Sequence, residues 1–550
     1  MKKKRWIPIL VALLLMILVV LLTVGVRVVE KYMPTKERAD LPALYHVNGD
    51  ETAIILNDEL LEFHAIRRDD QSYIPLSMVI SQLNDRYYWD ETQKQISYAL
   101  PESLLQVTSD NVGANGKKLI WVDNKDIYLS EEFLRMYTDV RCYFYDNNGV
   151  NRLYIYSTWD EITIATLKKD AKLRKAGGIK SPIITDMQKG QQVKVLNQMD
   201  KWSKVISEDG FIGYVENKRL VDLEKDTPVS SFVPPVYTNL SMDEEIRLVW
   251  HQVTVKDANK NMEKLIADAK GVNVISPTWY SVINNEGDIS SLAEKSYVDR
   301  AHELGMQVWA LIDNFNKDVD DYELLKTTKT RQRLIDSLVA EAVSLGIDGI
   351  NVDFETISEK AAPAYIQFIR ELSIACRKYQ LVLSVDNYVP ANYNQYYNRT
   401  EQGIVADYVI IMGYDEHWAG SEPGSTASLP FVDKGIRETL EQVPKEKVIN
   451  AVPFFTRIWT DDGSKAAGIY KVEDIIEEKG LQPVWLEDLG QYYVEYEEDG
   501  KDKSIWIEDV RSMTLKMETI KKYDIAGVAC WKLGLESKEI WDVISPETVE

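Results

Sequence analysis

From about residue 245 onward the chain repeats one texture. Short apolar runs alternate with longer stretches in which apolar residues recur every three or four positions. The runs are Ile246–Val253, Val272–Pro277, Gln307–Asp313, Gly349–Glu355, Leu381–Asn387, Asp407–Tyr414, Val448–Phe454 and Ile525–Trp531. A short apolar run bounded by turn residues reads as a buried strand, and the wider spacing reads as an amphipathic helix. Thr330–Leu345 and Ala362–Tyr379 are of the second kind. Strands alternating with helices in this way predict an α/β fold, a (β/α)8 TIM barrel over residues 245–545. The stretch 460–510 is long for one connection. Its segments Gln491–Glu497 and Ser504–Glu508 predict a small β insertion before the last helix.

Upstream the texture differs. Trp6–Val26 is an almost uninterrupted apolar run behind Lys2-Lys3-Lys4-Arg5. That length spans a bilayer as a helix, and Val26-Arg27-Val28-Val29-Glu30 offers no small-residue cleavage site. The expectation is an uncleaved single-pass anchor within residues 1–27. The basic cluster stays inside and everything beyond about residue 28 lies outside the membrane. Residues 28–40 read as a juxtamembrane linker. Residues 41–159 read as an α+β domain with two similar halves, each strand–helix–hairpin. Tyr73–Ser77 leads to Tyr87–Asp90 and Gln95–Tyr98; Ile127–Ser130 leads to Tyr143–Asp146 and Leu153–Tyr156. This resembles the stalk-like amino-terminal domain of copper amine oxidases. His46 and His64 form no ligand cluster, so no copper is expected. Residues 160–223 turn all-β. Val193–Leu196, Trp202–Val205, the Asp209-Gly210 turn and Gly213–Val215 resemble a bacterial SH3-like small barrel. Trp202 and Tyr214 are core residues or groove aromatics. Residues 224–244, with Pro228, Pro234 and Pro235, read as a linker.

Composition narrows the function. The chain has 550 residues, with 45% hydrophobic and 27% charged residues, which suits a multidomain globular protein. A net charge of −23 supplies no basic field for phosphates, so nucleic acid is not an expected partner. Three scattered cysteines give neither a disulfide framework nor a metal spacing. With five scattered histidines, no metal and no cofactor is expected.

The candidate chemistry lies in Asp348-Gly349-Ile350-Asn351-Val352-Asp353-Phe354-Glu355. Side chains alternate along a strand, so Asn351, Asp353 and Glu355 share one face. Buried carboxylates are costly unless paired or functional. The octapeptide resembles the glycoside hydrolase family 18 signature D-G-x-D-x-D-x-E, with Asn351 at the middle acidic position. The sixth run ends Met412-Gly413-Tyr414-Asp415, like the family's M-x-Y-D. The eighth ends on Trp531, where the family keeps a tryptophan under the sugar. The subgroup most resembled couples such barrels to wall-binding modules and includes spore-cortex-lytic enzymes.

The resemblance implies a hydrolase acting after N-acetylglucosamine, with the substrate's own acetamido group as nucleophile. Glu355 is then the general acid. Asp353 holds the acetamido N–H, and Asn351 hydrogen-bonds Asp353. Tyr414 donates its hydroxyl to the acetamido oxygen or the oxazoline region, and Asp415 orients the N-acetyl group or the second carboxylate. Trp531, Met412, Trp279, Tyr280, Trp418, Arg457 and Asp348 are candidate substrate contacts, and Tyr388, Trp459, Asp313 and Asn314 also lie near strand ends. The implied partner is a polysaccharide containing N-acetylglucosamine, peptidoglycan of a Gram-positive-type wall. A chitinase and a lectin-like wall protein are the other readings.

Overall fold

The computed structural model describes residues 6–545, so Lys2–Arg5 lie outside the described residues. The described chain divides into two units. One comprises the chain up to residue 85 with 107–234, the other 86–106 with 235 onward.

The first unit begins with one helix, Ile7–Tyr32, whose Ile7–Gly25 stretch is long and apolar enough to cross a membrane. The expected linker is therefore shorter than 28–40, and it is tied down. Ile183 N–H donates to Glu37 O at 2.8 Å and Ala39 N–H to Ile183 O at 2.8 Å. These bonds lay residues 37–39 along the SH3-like strand Ile183–Met187. The second half of the predicted repeat is strand Asp126–Ser130, helix Glu131–Tyr137 and hairpin Arg141–Tyr145/Asn151–Tyr156. Ser130 caps that helix, its Oγ accepting from Phe133 N–H. The α+β sheet and the SH3-like strands share one core. Tyr45, Tyr154, Leu173, Val205 and Phe211 are all buried in it, and the Arg152 guanidinium lies 3.5 Å from the Phe211 ring centroid.

The first half of the repeat breaks the pattern. Its strand Gln71–Pro75 and helix Leu76–Gln82 stay in the first unit. Its hairpin, Tyr88–Asp90 with Gln95–Ala99, packs on the barrel instead. Asp90 Oδ2 accepts Thr328 N–H at 2.7 Å, supplying a carboxylate to the N-terminus of helix Thr328–Leu345. Tyr88 Oη donates to Lys326 O at 2.9 Å, and Arg86 pairs with Glu401 at 2.6 Å.

The barrel is closed by eight parallel strands: β1 (Ile246–His251), β2 (Val274–Val282), β3 (Gln307–Asp313), β4 (Gly349–Asp353), β5 (Val382–Tyr388), β6 (Tyr408–Met412), β7 (Val448–Pro453) and β8 (Gly527–Trp531). Each pairs with its neighbour in chain order, and β8 closes on β1. Leu248, Trp250, Trp309, Leu311, Ile410 and Ala529 fill the lumen. Alternate residues such as Ile350, Val352 and Val385 pack outward with the helices. Gly349 is required by space, since a Cβ there would sit 2.9 Å from Val382 O. The insertion between β7 and β8 is larger than expected. It is a five-stranded sheet over Phe455–Ile507 with a helix, Ile469–Lys479. One face of the sheet buries Val494, Ile505 and Ile507 against Val472 of that helix.

Candidate active site

β4 ends at Asp353, and Glu355 lies two residues beyond, at the carboxyl end of the barrel. Glu355 is held from several sides. Its backbone N–H donates to Asn314 Oδ1 at 3.1 Å, and Tyr397 Oη donates to its backbone O at 2.9 Å. Tyr388, from the end of β5, donates its hydroxyl to Glu355 Oε2 at 2.5 Å. Burial raises the Glu355 carboxyl, and the charges of Asp415 and Asp313 push it the same way; the Tyr388 bond acts against them. Asp353 is only 5% exposed and its Oδ1 has no hydrogen-bond partner among the described residues. Burial pushes its carboxyl well above the ordinary range, reinforced by Asp386, Glu355 and Asp313.

Tyr414 and Asp415 follow β6. A Cβ at Gly413 would meet Ala451 O at 2.7 Å, so only glycine lets the chain leave the barrel there. Asp415 has φ of +57°, a left-handed turn that an aspartate tolerates. Arg457, on the insertion strand Phe455–Thr460, donates to Asp415 Oδ1 at 2.8 Å. Burial raises the Tyr414 hydroxyl, and the charges of Asp353, Glu355, Asp386 and Asp415 all reach it. These five side chains thus form one electrostatic cluster. Trp531 ends β8, half-buried, its ring edge-on to Trp250 at 5.7 Å between centroids. Trp250 in turn donates to Asn351 Oδ1 at 2.9 Å, linking Trp531 to the same lumen. Met412 ends β6 and is nearly buried; Trp418 lies on the following loop and is exposed.

Several expected roles are corrected. Asn351 does not bond Asp353. Its amide donates to Asp386 Oδ1 at 2.8 Å and Ser384 Oγ at 3.0 Å, because β5 packs beside β4 with Asn351 opposite Ser384. Trp279 and Tyr280 are not cleft walls. Both are fully buried in the core between strands and helices, and Trp279 Nε1 donates to Asn259 Oδ1. Asp348 precedes β4 at the opposite end of the barrel. Its carboxylate accepts Val308 N–H at 2.8 Å and pairs with His302, so its work is structural.

Asp386 went unnoticed in the sequence. It sits on β5, 3% exposed, and burial pushes its carboxyl well above the ordinary range. Its signal was Ser384 and Asp386, two polar residues at period two inside an apolar run. That is the alternation already seen in Asn351 and Asp353.

Residues 300–536 match the glycosyl hydrolases family 18, and residues 169–221 match the bacterial SH3 domain. Neither match reaches residues 41–159. An uncharacterized glycosylase of Bacillus subtilis, YvbX, is 27% identical over 295 residues, covering 50% of this chain and 85% of that protein. A cortical fragment-lytic enzyme of Bacillus anthracis is 24% identical over 243 residues, covering 42% of this chain and 56% of its own length. Among solved structures, the Bacillus cereus spore cortex-lytic enzyme SleL superposes with a TM-score of 0.50 at 19% identity, over 58% of this chain and 77% of that one. A chitinase of Chromobacterium violaceum gives 0.50 at 20% identity, over 55% and 98%. At these identities the structural likeness is one of fold. The closed barrel is thus the part of the chain that matches the glycosyl hydrolases family 18, over residues 300–536, with a match to the bacterial SH3 domain ahead of it.

Proposed function

We propose that this is a membrane-anchored, extracellular glycosidase that cleaves β-1,4 bonds after N-acetylglucosamine in peptidoglycan, by a retaining mechanism assisted by the substrate. The carrying observation is the pair Asp353 and Glu355 at the carboxyl end of β4, with the Glu355 carboxyl raised by burial. A raised carboxyl stays protonated closer to neutral pH, which suits a general acid. Glu355 gives its proton to the leaving oxygen while the acetamido oxygen attacks the anomeric carbon. Asp353 accepts a hydrogen bond from the acetamido N–H and balances the oxazolinium charge. The Tyr414 hydroxyl donates to the acetamido oxygen, and Asp415, fixed by Arg457, orients the group. Trp531 offers its ring face to the C–H groups of the sugar. Water then opens the oxazolinium with Glu355 as base.

Peptidoglycan is preferred to chitin for two reasons. The apolar helix Ile7–Gly25 would hold the barrel beside the cell's own wall, and the relatives include cortical fragment-lytic enzymes. A chitinase is the second reading, favoured by the likeness to an endochitinase of Metarhizium robertsii, 23% identical over 295 residues. The presence of Glu355 disfavours a lectin. Mass spectrometry of products from defined peptidoglycan tests the proposal. New reducing-end N-acetylglucosamine is expected; new reducing-end N-acetylmuramic acid, or turnover of chitin oligomers only, refutes it.

A further inference from the structure

Asn351 has no hydrogen bond to spare. A carboxamide offers two N–H donors and two lone pairs. Both donors go to β5, to Asp386 and Ser384. Both lone pairs are taken as well, by Trp250 Nε1 at 2.9 Å and Ser276 Oγ at 3.2 Å. Nothing is left for Asp353, whose Oδ1 is buried without a partner among the described residues. A carboxylate oxygen so placed is costly while it is charged.

The relief lies one strand over. β4 and β5 run parallel with Val352 opposite Val385. One residue further along that register come Asp353 and Asp386, both buried, and the charge of Asp386 reaches Asp353. Asp386 is anchored by the Asn351 amide at one oxygen, which leaves the other for a neighbour. The other ionisable groups within electrostatic reach are known. Glu355 acts on both acids, and Asp313 of β3, paired in register with Asp353, acts on Asp353. Tyr414 and Tyr365 of helix Ala362–Tyr379 feel both acids through their hydroxyls. Asp313 is already served by Ser281 Oγ and Phe315 N–H, so it makes no claim on a shared proton. Two adjacent buried carboxyls do not both ionise cheaply, and one proton between them is the low-energy arrangement.

We propose that Asp386 is a positioning residue for the reaction: it shares one proton with Asp353, and the saturated Asn351 amide holds it in place to do so. When Asp353 must carry negative charge beside the acetamido group, the proton moves from a carboxyl oxygen of Asp353 to one of Asp386, and no other bond is made or broken. The acid that the family 18 signature places at position 351 is thus transposed to the next strand. This rests on the glycosidase reading given above.

Two variants test it, Asp386→Asn and the exchange Asn351→Asp with Asp386→Asn. In Asp386→Asn, kcat on a chromogenic N-acetylglucosamine glycoside is expected to fall by about 10–100-fold, the usual cost of losing an outer-shell partner, with KM changed much less. The acid limb of kcat/KM moves up in pH, because an amide N–H is a weaker donor to the Asp353 anion than the carboxyl O–H it replaces. The exchange restores an acid beside Asp353 and is expected to recover both kcat and the limb. Parental kinetics in Asp386→Asn, or an exchange no better than the single variant, overturns the proposal. Carbon NMR of labelled aspartate carboxyls decides the pairing without turnover. Asp353 and Asp386 are expected to titrate as a coupled pair in the parent, each carbon showing both steps. Two independent single-step curves overturn the pairing. A parent that binds but never hydrolyses these glycosides overturns instead the glycosidase reading, while the NMR still decides the shared proton.

Discussion

Tyr388 donates its hydroxyl to Oε2 of Glu355 at 2.5 Å, the one side-chain hydrogen bond to that carboxyl among the described residues. A donor favours the ionised acid, so the bond lowers the Glu355 pKa against the upward push of burial. Tyr388→Phe removes the donor and keeps the ring. Glu355 then holds its proton to higher pH, and the alkaline limb of the kcat/KM profile is expected to move up. A limb that stays fixed means that another group sets it.

Glu355→Gln keeps the shape and removes the titrating proton. Turnover is expected to fall by about 10²–10⁴, the usual worth of a general acid. Binding of an N-acetylglucosamine oligomer, read by calorimetry, is expected to persist because Trp531 and Tyr414 are untouched. Equal loss of binding and turnover would assign Glu355 to holding substrate.

The buried acids also shape stability against pH. The Asp353 carboxyl is raised in the folded state, so its contribution is fully present below the ordinary aspartate pKa of about 3.9 and is lost as pH rises through the folded value. Asp353→Asn is therefore expected to raise Tm near neutral pH and to leave it almost unchanged near pH 4. Melting curves of the two proteins at both pH values check this.

Outside the site, Arg331 and Glu371 form a bidentate pair on neighbouring helices, with both side chains almost fully buried. Arg331→Met fills similar volume but strands the carboxylate. A loss of roughly 3–5 kcal/mol is expected for breaking such a pair, measurable from the midpoint of denaturant unfolding of the barrel. A loss below 1 kcal/mol would mean that Glu371 takes up a proton or finds water instead.

The topology prediction uses intact wall-stripped cells. If Ile7–Gly25 spans the membrane with Lys2–Arg5 inside, added protease cuts the outer linkers and a barrel-sized band appears on a denaturing gel. Protection of that band places the barrel on the other side.

The barrel was legible in sequence because its strands are local apolar runs, and all eight overlap the runs read from the pattern, although β2 continues five residues past its run. The octapeptide was equally legible, since alternation alone puts Asn351 and Asp353 on one face. The target of the Asn351 amide was not legible. Its partners Asp386, Ser384, Trp250 and Ser276 come from three other strands, so only the closed barrel brings them together. Trp279 and Tyr280 misled for a related reason. β2 runs on to Val282 with a register shift between Thr278 and Tyr280, and the two rings pack as core instead of opening to the mouth. The hairpin Tyr88–Ala99 was read correctly as a hairpin. Its attachment was missed, because Asp90, Tyr88 and Arg86 find partners more than two hundred residues away in the chain.

That hairpin changes what a single cut can do. The chain passes between the two units at three points, near residues 85, 106 and 234. Severing residues 224–244 leaves the amino-terminal piece with its hairpin still seated on the barrel helices through Asp90 and Arg86. The nicked protein should run as two bands once denatured and sediment as one particle before. Release of the barrel from the helix Ile7–Tyr32 would then need a second scission before residue 86, or unfolding of the hairpin.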